Sequence, residues 1–412
     1  MAGTHRSKRV LFVSGSVGLG HVIRDLAIAR QLRTLAPVDV TWLASAPADR
    51  VISEAGEVLH PASARLVNMS AIAEAQTTGG RLSLIRYALT ASRSWGRNFD
   101  IVDEIMAHGG FDLLIGDETY EIALGYRKCL SRKKWPFVMI YDFVGFDAMS
   151  KQPMERLGVY LWNRKWAGKA RGERPYVDLG LFIGEEDDVP DVRFGPFLPS
   201  RREWARDRCR FVGYVLDFDP LQYTDTGALR RELGYAPSPL VICAVGGTAI
   251  GRELLELCGA AFPLLEQSVP DIQMVLVGGP RVDPRELRVP HGVKVVGYLP
   301  ALHKHLAVCD LAVVQGGGTV TLELTALRRP FIFFPIAGHC EQELHVAGRL
   351  SRHGAGVRLS QDLTSPAQLA EAISSNMKSA VLWASIPVDG ARLAANAICE
   401  LLESRSAGSA DP

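Results

Sequence analysis

An α/β architecture of two similarly built domains, each around a parallel sheet, is what this sequence predicts. Three observations predict it. Apolar, strand-like runs alternate with amphipathic helical stretches, the pattern of parallel sheets with crossover helices. Both halves open in the same order of strand, glycine turn and helix. The length of 412 residues suits two or three units at roughly 150 residues each.

In the first half, residues 9–15 (RVLFVSG) form a buried strand that runs into glycines. A helix follows from about His21 to Leu35, with Val22, Leu26, Ala29 and Leu32 on one face and Arg24, Arg30 and Arg33 opposite. Further strands are expected at 38–44, 111–117, 136–142 and 179–184; the third and fourth of the series each end in an aspartate, Asp117 and Asp142. The second half repeats the scheme, with strands at 239–248, 271–279, 293–299, 310–318 and 330–335 and a helix after the first. The polar segment 217–227 is the expected join. A closing helix at about 388–404 carries Ala394, Ile398, Leu401 and Leu402 on one face and must pack on something. The divisions are then 1–216, 228–386 and a terminal helical segment, 387–412.

Composition narrows the function. Lys plus Arg number 46 and Asp plus Glu 45, for a net charge of +1, with 47% apolar and 22% charged residues. That is ordinary for a globular protein and argues against a coat for nucleic acid. Domains of this size bury a core without staples. The seven cysteines are scattered, odd in number and without a CxxC, which argues against zinc and against a disulfide framework; Cys243 reads as a small core residue. The basic start MAGTHRSKR leads straight into a strand, and no run of 18 apolar residues occurs. The expectation is a reduced, cytoplasmic compartment, with no signal core and no membrane span.

Two glycine turns carry the chemistry. The first, Gly15 to Gly20, has the order GxxGxG, and the next strand ends at Ala44-Ser45 with no acidic residue. A dinucleotide site needs GxGxxG and that acid, so a nicotinamide or flavin is not expected. His21 stands at the helix start, and Asp117 ends a strand whose carboxyl end lies where ligands gather. A His–Asp pair there is a general base; the plainer alternative is that both residues cap. The second turn, Gln315-Gly316-Gly317-Gly318-Thr319-Val320-Thr321-Leu322-Glu323, follows a strand and opens a helix. Consecutive glycine N–H groups, the Thr319 and Thr321 hydroxyls and the helix dipole suit a diphosphate, and the spacing is not that of an ATPase loop. Glu323 is placed either to accept from ribose hydroxyls or as a solvated helix residue. Tyr298, after Gly297, either stacks a base or packs. A polar cluster from Gly338 to Gln342 follows another strand end.

The ordered set of GYLP, QGGGTVTLE, PFIFFP, EQ and RHGAG (352–356), with GLGH in the first half, resembles GT-B glycosyltransferases over the whole chain. Similarity is greatest to the family-1 type and to the lipid-linked peptidoglycan N-acetylglucosaminyltransferase type. The resemblance implies two Rossmann-like domains facing across a cleft, and a last helix returning to the first. It implies an inverting transfer from a nucleotide-diphosphate sugar, UDP- or dTDP-linked, to a hydroxyl or amine of a small-molecule or lipid-linked acceptor, with no metal and no cofactor beyond the donor. In it His21 matches the base and Asp117 its partner. Gly247, Thr248, Gly297, Tyr298, Gln315, Gly316, Gly317, Gly318, Thr319, Glu323, Glu341 and Gln342 fall on the donor side. Gly18, Gly20 and Asp142 fall on the acceptor side.

Three residues depart from the family pattern: Gln315 stands for histidine, His345 for asparagine, and Arg24 for the proline after GH. Two other functions share the architecture, a nucleotide-sugar 2-epimerase or hydrolase and a catalytically silent sugar-nucleotide-binding partner protein. Residues 151–176 hold seven Lys/Arg against two Glu, with Trp162 and Trp166. They read as a membrane-surface element, an acceptor flap, or a solvated helix with its aromatics in the core. The oligomeric state is not legible.

Overall fold

The computed structural model describes residues 6–14, 19–78, 81–82, 84–168, 175–247, 249–377 and 379–408. It divides into two compact units, one of Met1–Ala73, Leu84–Asp217 and Pro387–Pro412, the other of Glu74–Ser83 and Phe218–Ile386.

Strands of the first stretch are β1 (Lys8–Val13), β2 (Val38–Leu43), β3 (Val58–Leu59), the pair β4 (Thr77–Thr78) and β5 (Arg81–Leu82), β6 (Leu113–Asp117), β7 (Phe137–Tyr141), β8 (Leu179–Phe182) and β9 (Cys209–Phe211). Seven of them make one sheet in the order β3-β2-β1-β6-β7-β8-β9, parallel throughout. The strands are apolar on both faces because helices cover both, which is why they read as unbroken hydrophobic runs. On one face, helix α1 (Gly20–Leu35) places Val22, Leu26, Ala29 and Leu32 in a cluster with Val10, Phe12 and Trp42. The closing helix Gly390–Gly408 adds Ala394, Ile398 and Leu402 to that same cluster. Its apolar face is thereby buried in the first unit, although the sequence joins it to the second.

The second unit holds β10 (Leu240–Ala244), β11 (Gln273–Val277), β12 (Lys294–Val296), β13 (Leu311–Gln315), β14 (Phe331–Phe334) and β15 (Val357–Arg358). Their order is β12-β11-β10-β13-β14-β15, again parallel. Cys243 lies in its core at 1% exposure. Both sheets reverse strand order once, between β1 and β6 and between β10 and β13. Such a switch point opens a crevice at the carboxyl ends of the strands.

The structure alters three expectations. Arg24 does not face away from the sheet: it is 6% exposed, on the buried side of α1. A buried guanidinium is tolerable only with partners, and it has two carboxylates, described below. Residues Glu74–Ser83 group with the second unit, so the span 1–216 is not continuous. Glu74 there accepts from Arg281 at 2.5 Å, a pairing across 207 positions that leaves no local trace. The short strands β3, β9 and β15 escaped the sequence reading, since two or three residues show no periodicity.

Candidate active site residues in the two units

In the first unit, α1 leaves the end of β1 and brings His21 to the switch point. β6 delivers Asp117 there as its last residue, and Asp142 follows β7 directly. His21 Nδ1 lies 2.9 Å from Asp117 Oδ2, with the imidazole 11% exposed and the carboxylate fully buried. Arg24 binds both strand-end acids. Its Nε and Nη2 reach the two Asp117 oxygens at 3.0 and 2.5 Å, and its Nη1 donates to Asp142 Oδ2 at 2.7 Å. The planar fork suits two carboxylates at once, which a lysine could not match.

Charge follows from this packing. Burial disfavours an ionised Asp117, but Arg24 and His21 overcome it and hold the carboxyl below its usual range. Asp142 is held well below that range against burial, by Arg24, by a hydrogen bond from Glu118 and by His21. Burial also opposes the His21 imidazolium, yet the Asp117 charge and hydrogen bond, with Asp142 behind, outweigh burial and Arg24 together. The His21 pKa therefore sits above the ordinary histidine value. Asp25, fully buried beside them and accepting from Ser14 Oγ, has its pKa pushed well above the usual carboxyl range by burial and by Asp117.

Sequence reasoning missed Glu118. It is 6% exposed with a φ of 49°, a region that non-glycine residues seldom enter. One of its carboxyl oxygens lies 3.9 Å from His21 Nε2, and the other accepts from the Tyr120 hydroxyl at 3.0 Å. An acid next to a strand-end aspartate was the available signal. Gly20 begins α1. Gly18 and the rest of the 15–18 turn lie outside the described residues, as does Thr248.

In the second unit the glycine turn lies at the β13 side of the switch point. Gln315, 7% exposed, ends β13, and helix α2 (Gly318–Ala326) starts three residues on, with Gly317 as its N-cap. The first N–H groups of such a helix point out of its end, where an anion is favoured. Gly247 is buried after β10, on the other side of the reversal. The turn after β14 supplies the remaining polar groups. Gln342 accepts from the Ile336 N–H at 2.9 Å through its carbonyl oxygen, which aims the side chain and leaves its NH₂ donors. Gln342 and Glu341 stand in a six-residue π-helix, Glu341–Val346, a distortion common at functional sites. A methyl group added at Gly316 would lie 3.5 Å from Gln342 Oε1, and one at Gly318 would lie 3.8 Å from Glu341 Oε1, so the glycine turn and the acid–Gln pair adjoin. Glu323 is 5% exposed, which overturns the solvated alternative. Gly297 and Tyr298 follow β12, both half-buried. Thr319 is half-buried at the start of α2. Thr321 is a correction: its hydroxyl donates to the Gly317 carbonyl at 2.8 Å and is spent inside the helix.

Residues 239–379 match the family described as glycosyl transferases group 1. A solved structure, the glycotransferase of kitacinnamycin, aligns with a TM-score of 0.63 over 97% of this chain and 99% of that one, at 16% identity. The chain has the GT-B glycosyltransferase fold. Among curated relatives it is 28% identical over 199 residues to an uncharacterized glycosyltransferase of Methanopyrus kandleri, covering 48% of this chain and 52% of the relative. The GT-B chain thus spans about half the length of that relative. A longer, weaker match, 24% over 361 residues, covers 86% of this chain and 84% of a UDP-N-acetylglucosamine–N-acetylmuramyl-(pentapeptide) pyrophosphoryl-undecaprenol N-acetylglucosamine transferase of Clavibacter sepedonicus.

Proposed function

We propose that this GT-B glycosyltransferase moves a sugar from a UDP- or dTDP-sugar to a hydroxyl or amine of a small-molecule or lipid-linked acceptor, with inversion. The observation that carries most weight is the buried His21–Asp117 pair at 2.9 Å, placed at a switch point in a fold that handles activated sugars. The second unit holds the donor: the glycine turn and the α2 end take the diphosphate, Glu323 the ribose, Tyr298 the base, and Glu341 and Gln342 the sugar hydroxyls. The first unit activates the acceptor. His21 Nε2 takes its proton as the new bond to the anomeric carbon forms, and the bond from that carbon to the diphosphate oxygen breaks, its electron pair leaving with the nucleotide. Backbone dipoles fixed before reaction stabilise that charge.

Calorimetry against UDP-, dTDP- and GDP-sugars, followed by a nucleotide-release assay, tests the reading. Tight binding of one donor with acceptor-dependent release is expected. Altered or free sugar formed without an acceptor favours an epimerase or hydrolase instead, and binding without turnover favours the silent partner.

A lipid-linked acceptor has support from helix α3, which here denotes Pro153–Ala167. Met154, Leu157 and Leu161 are 73%, 52% and 46% exposed, a stripe at helical spacing. Arg164 and Lys165 flank the stripe, and Lys151 and Arg156 add exposed charge. The one acid in the helix, Glu155, is turned inward and accepts from the Ser150 N–H at 3.1 Å. Trp166 is packed inward, 4.7 Å from the Tyr120 ring. No helix among the described residues is long and apolar enough to cross a membrane. The reading is a cytoplasmic protein that rests on an anionic leaflet. The purified chain should float with phosphatidylglycerol vesicles at low salt, and Leu157→Glu should abolish flotation. Equal flotation with zwitterionic vesicles, or none at all, removes the idea.

A further inference from the structure

His21 Nδ1 has two neighbours that demand opposite tautomers. Asp117 Oδ2, at 2.9 Å, can only accept. It requires a proton on Nδ1 and leaves a lone pair on Nε2. Arg24 Nη2, at 2.8 Å, can only donate. It requires a bare Nδ1 and puts the proton on Nε2. Only the first tautomer is a base toward an acceptor. Arg24 stands where the family resemblance carries proline, so this competition belongs to this chain's own sequence.

We propose that Arg24 is a positioning residue that sets both the tautomer and the basicity of His21, holding Asp117 ionised while contesting Nδ1. The effect on the reaction rests on His21 being the base; the effect on the imidazole does not. The guanidinium is 7% exposed and spans both strand-end acids, so it is held in place rather than free to swing.

The charges around His21 decide the sign. From α1 come Arg24 and, behind it, Asp25, whose pKa burial pushes upward. From β6 and the turn after it come Asp117 and Glu118, and from the end of β7 comes Asp142. Residues 15–18 are Gly, Ser, Val and Gly and carry no titratable side chain. Among these groups Arg24 is the sole permanent cation. Without it the carboxylates face only the imidazole, whose charged form is then favoured. Arg24 accordingly lowers the His21 pKa from the value the bare acid cluster would impose, and keeps more of the base unprotonated near neutrality.

The test is a ¹⁵N-histidine NMR titration of the whole chain without donor or acceptor, the His21 signals being assigned by their loss in His21→Gln. In Arg24→Met the His21 pKa is expected to rise by about one unit or more, a tenfold change in protonation. In Arg24→Lys, which keeps the charge, it should stay nearer the wild type. An unchanged or lower value in Arg24→Met overturns the proposal. Should that variant fail to fold, the wild-type nitrogen shifts above the pKa still decide. A mixture of Nδ1–H and Nε2–H forms is expected, and a pure Nδ1–H form refutes the competition. A rate profile then separates the two readings. If the NMR pKa moves and the acid limb of kcat/KM moves with it, both stand. If the NMR pKa moves and the limb does not, His21 is not the base while the role of Arg24 in the imidazole remains.

Discussion

His21→Ala is expected to abolish sugar transfer and to leave donor binding intact. A positioned base contributes about 10²–10⁴ in rate, and nothing nearby replaces it well. Glu118 has a carboxyl oxygen 3.9 Å from His21 Nε2, but it is 6% exposed and already engaged by the Tyr120 hydroxyl at 3.0 Å. Asp117 is buried behind the imidazole and bonded to Arg24. The fall in kcat should therefore approach the full range. The proposed donor-side residues all stand in the other unit, so the Kd for the nucleotide should match wild type by calorimetry. The wild-type pH profile carries the same signature. As the proposed base, His21 would act only when unprotonated, and its pKa is raised, so kcat/KM should fall with acid at a pH above the usual histidine value of about 6.5. Wild-type turnover in His21→Ala, or a flat profile from pH 6 to 9, would remove His21 from the mechanism.

Gly316→Ala is expected to lose donor affinity and to weaken the second unit. The new methyl would lie 2.9 Å from Pro335 Cα and 3.2 Å from Pro335 N. Both are backbone atoms, so no flexible side chain can yield. The strand ends must part, and they are joined here by the Gly316 N–H donating to the Phe334 carbonyl at 2.9 Å. Overpacking of this kind costs about 1–3 kcal/mol. The displaced turn carries the proposed diphosphate amides, so a tenfold or greater loss of affinity for UDP should accompany a lower urea midpoint. Gly317→Ala is the control for folding. Its φ of −70° suits any residue, and its nearest neighbour would be Val320 Cγ1 at 3.9 Å. An unchanged midpoint and affinity in Gly316→Ala would show that the turn does not bear on the donor.

The central strands of the two sheets were legible in the sequence, while the short strands β3, β9 and β15 were not. Strands buried on both faces must be apolar throughout, so β1, β6, β7, β10, β13 and β14 announce themselves, and the glycines after β1, β10 and β13 mark where chain meets helix start. His21 and Asp117 were legible because a helix start and a strand end in such a sheet converge on one edge. Arg24 was not. Helical periodicity assigns a charged residue to the solvent face, and only the tertiary arrangement shows two carboxylates from other strands waiting beneath it.

From the sequence alone came the architecture, the turns and the kinds of group they offer, because these depend on local pattern and on the rule that apolar surface is buried. The fold decided which of those groups meet. It turned Arg24 inward, spent the Thr321 hydroxyl within its helix, brought Glu118 beside the imidazole and seated the last helix on the first unit. Three of these outcomes depend on distance between residues far apart in the chain, which no local pattern encodes; the Thr321 bond runs only one turn back, to Gly317.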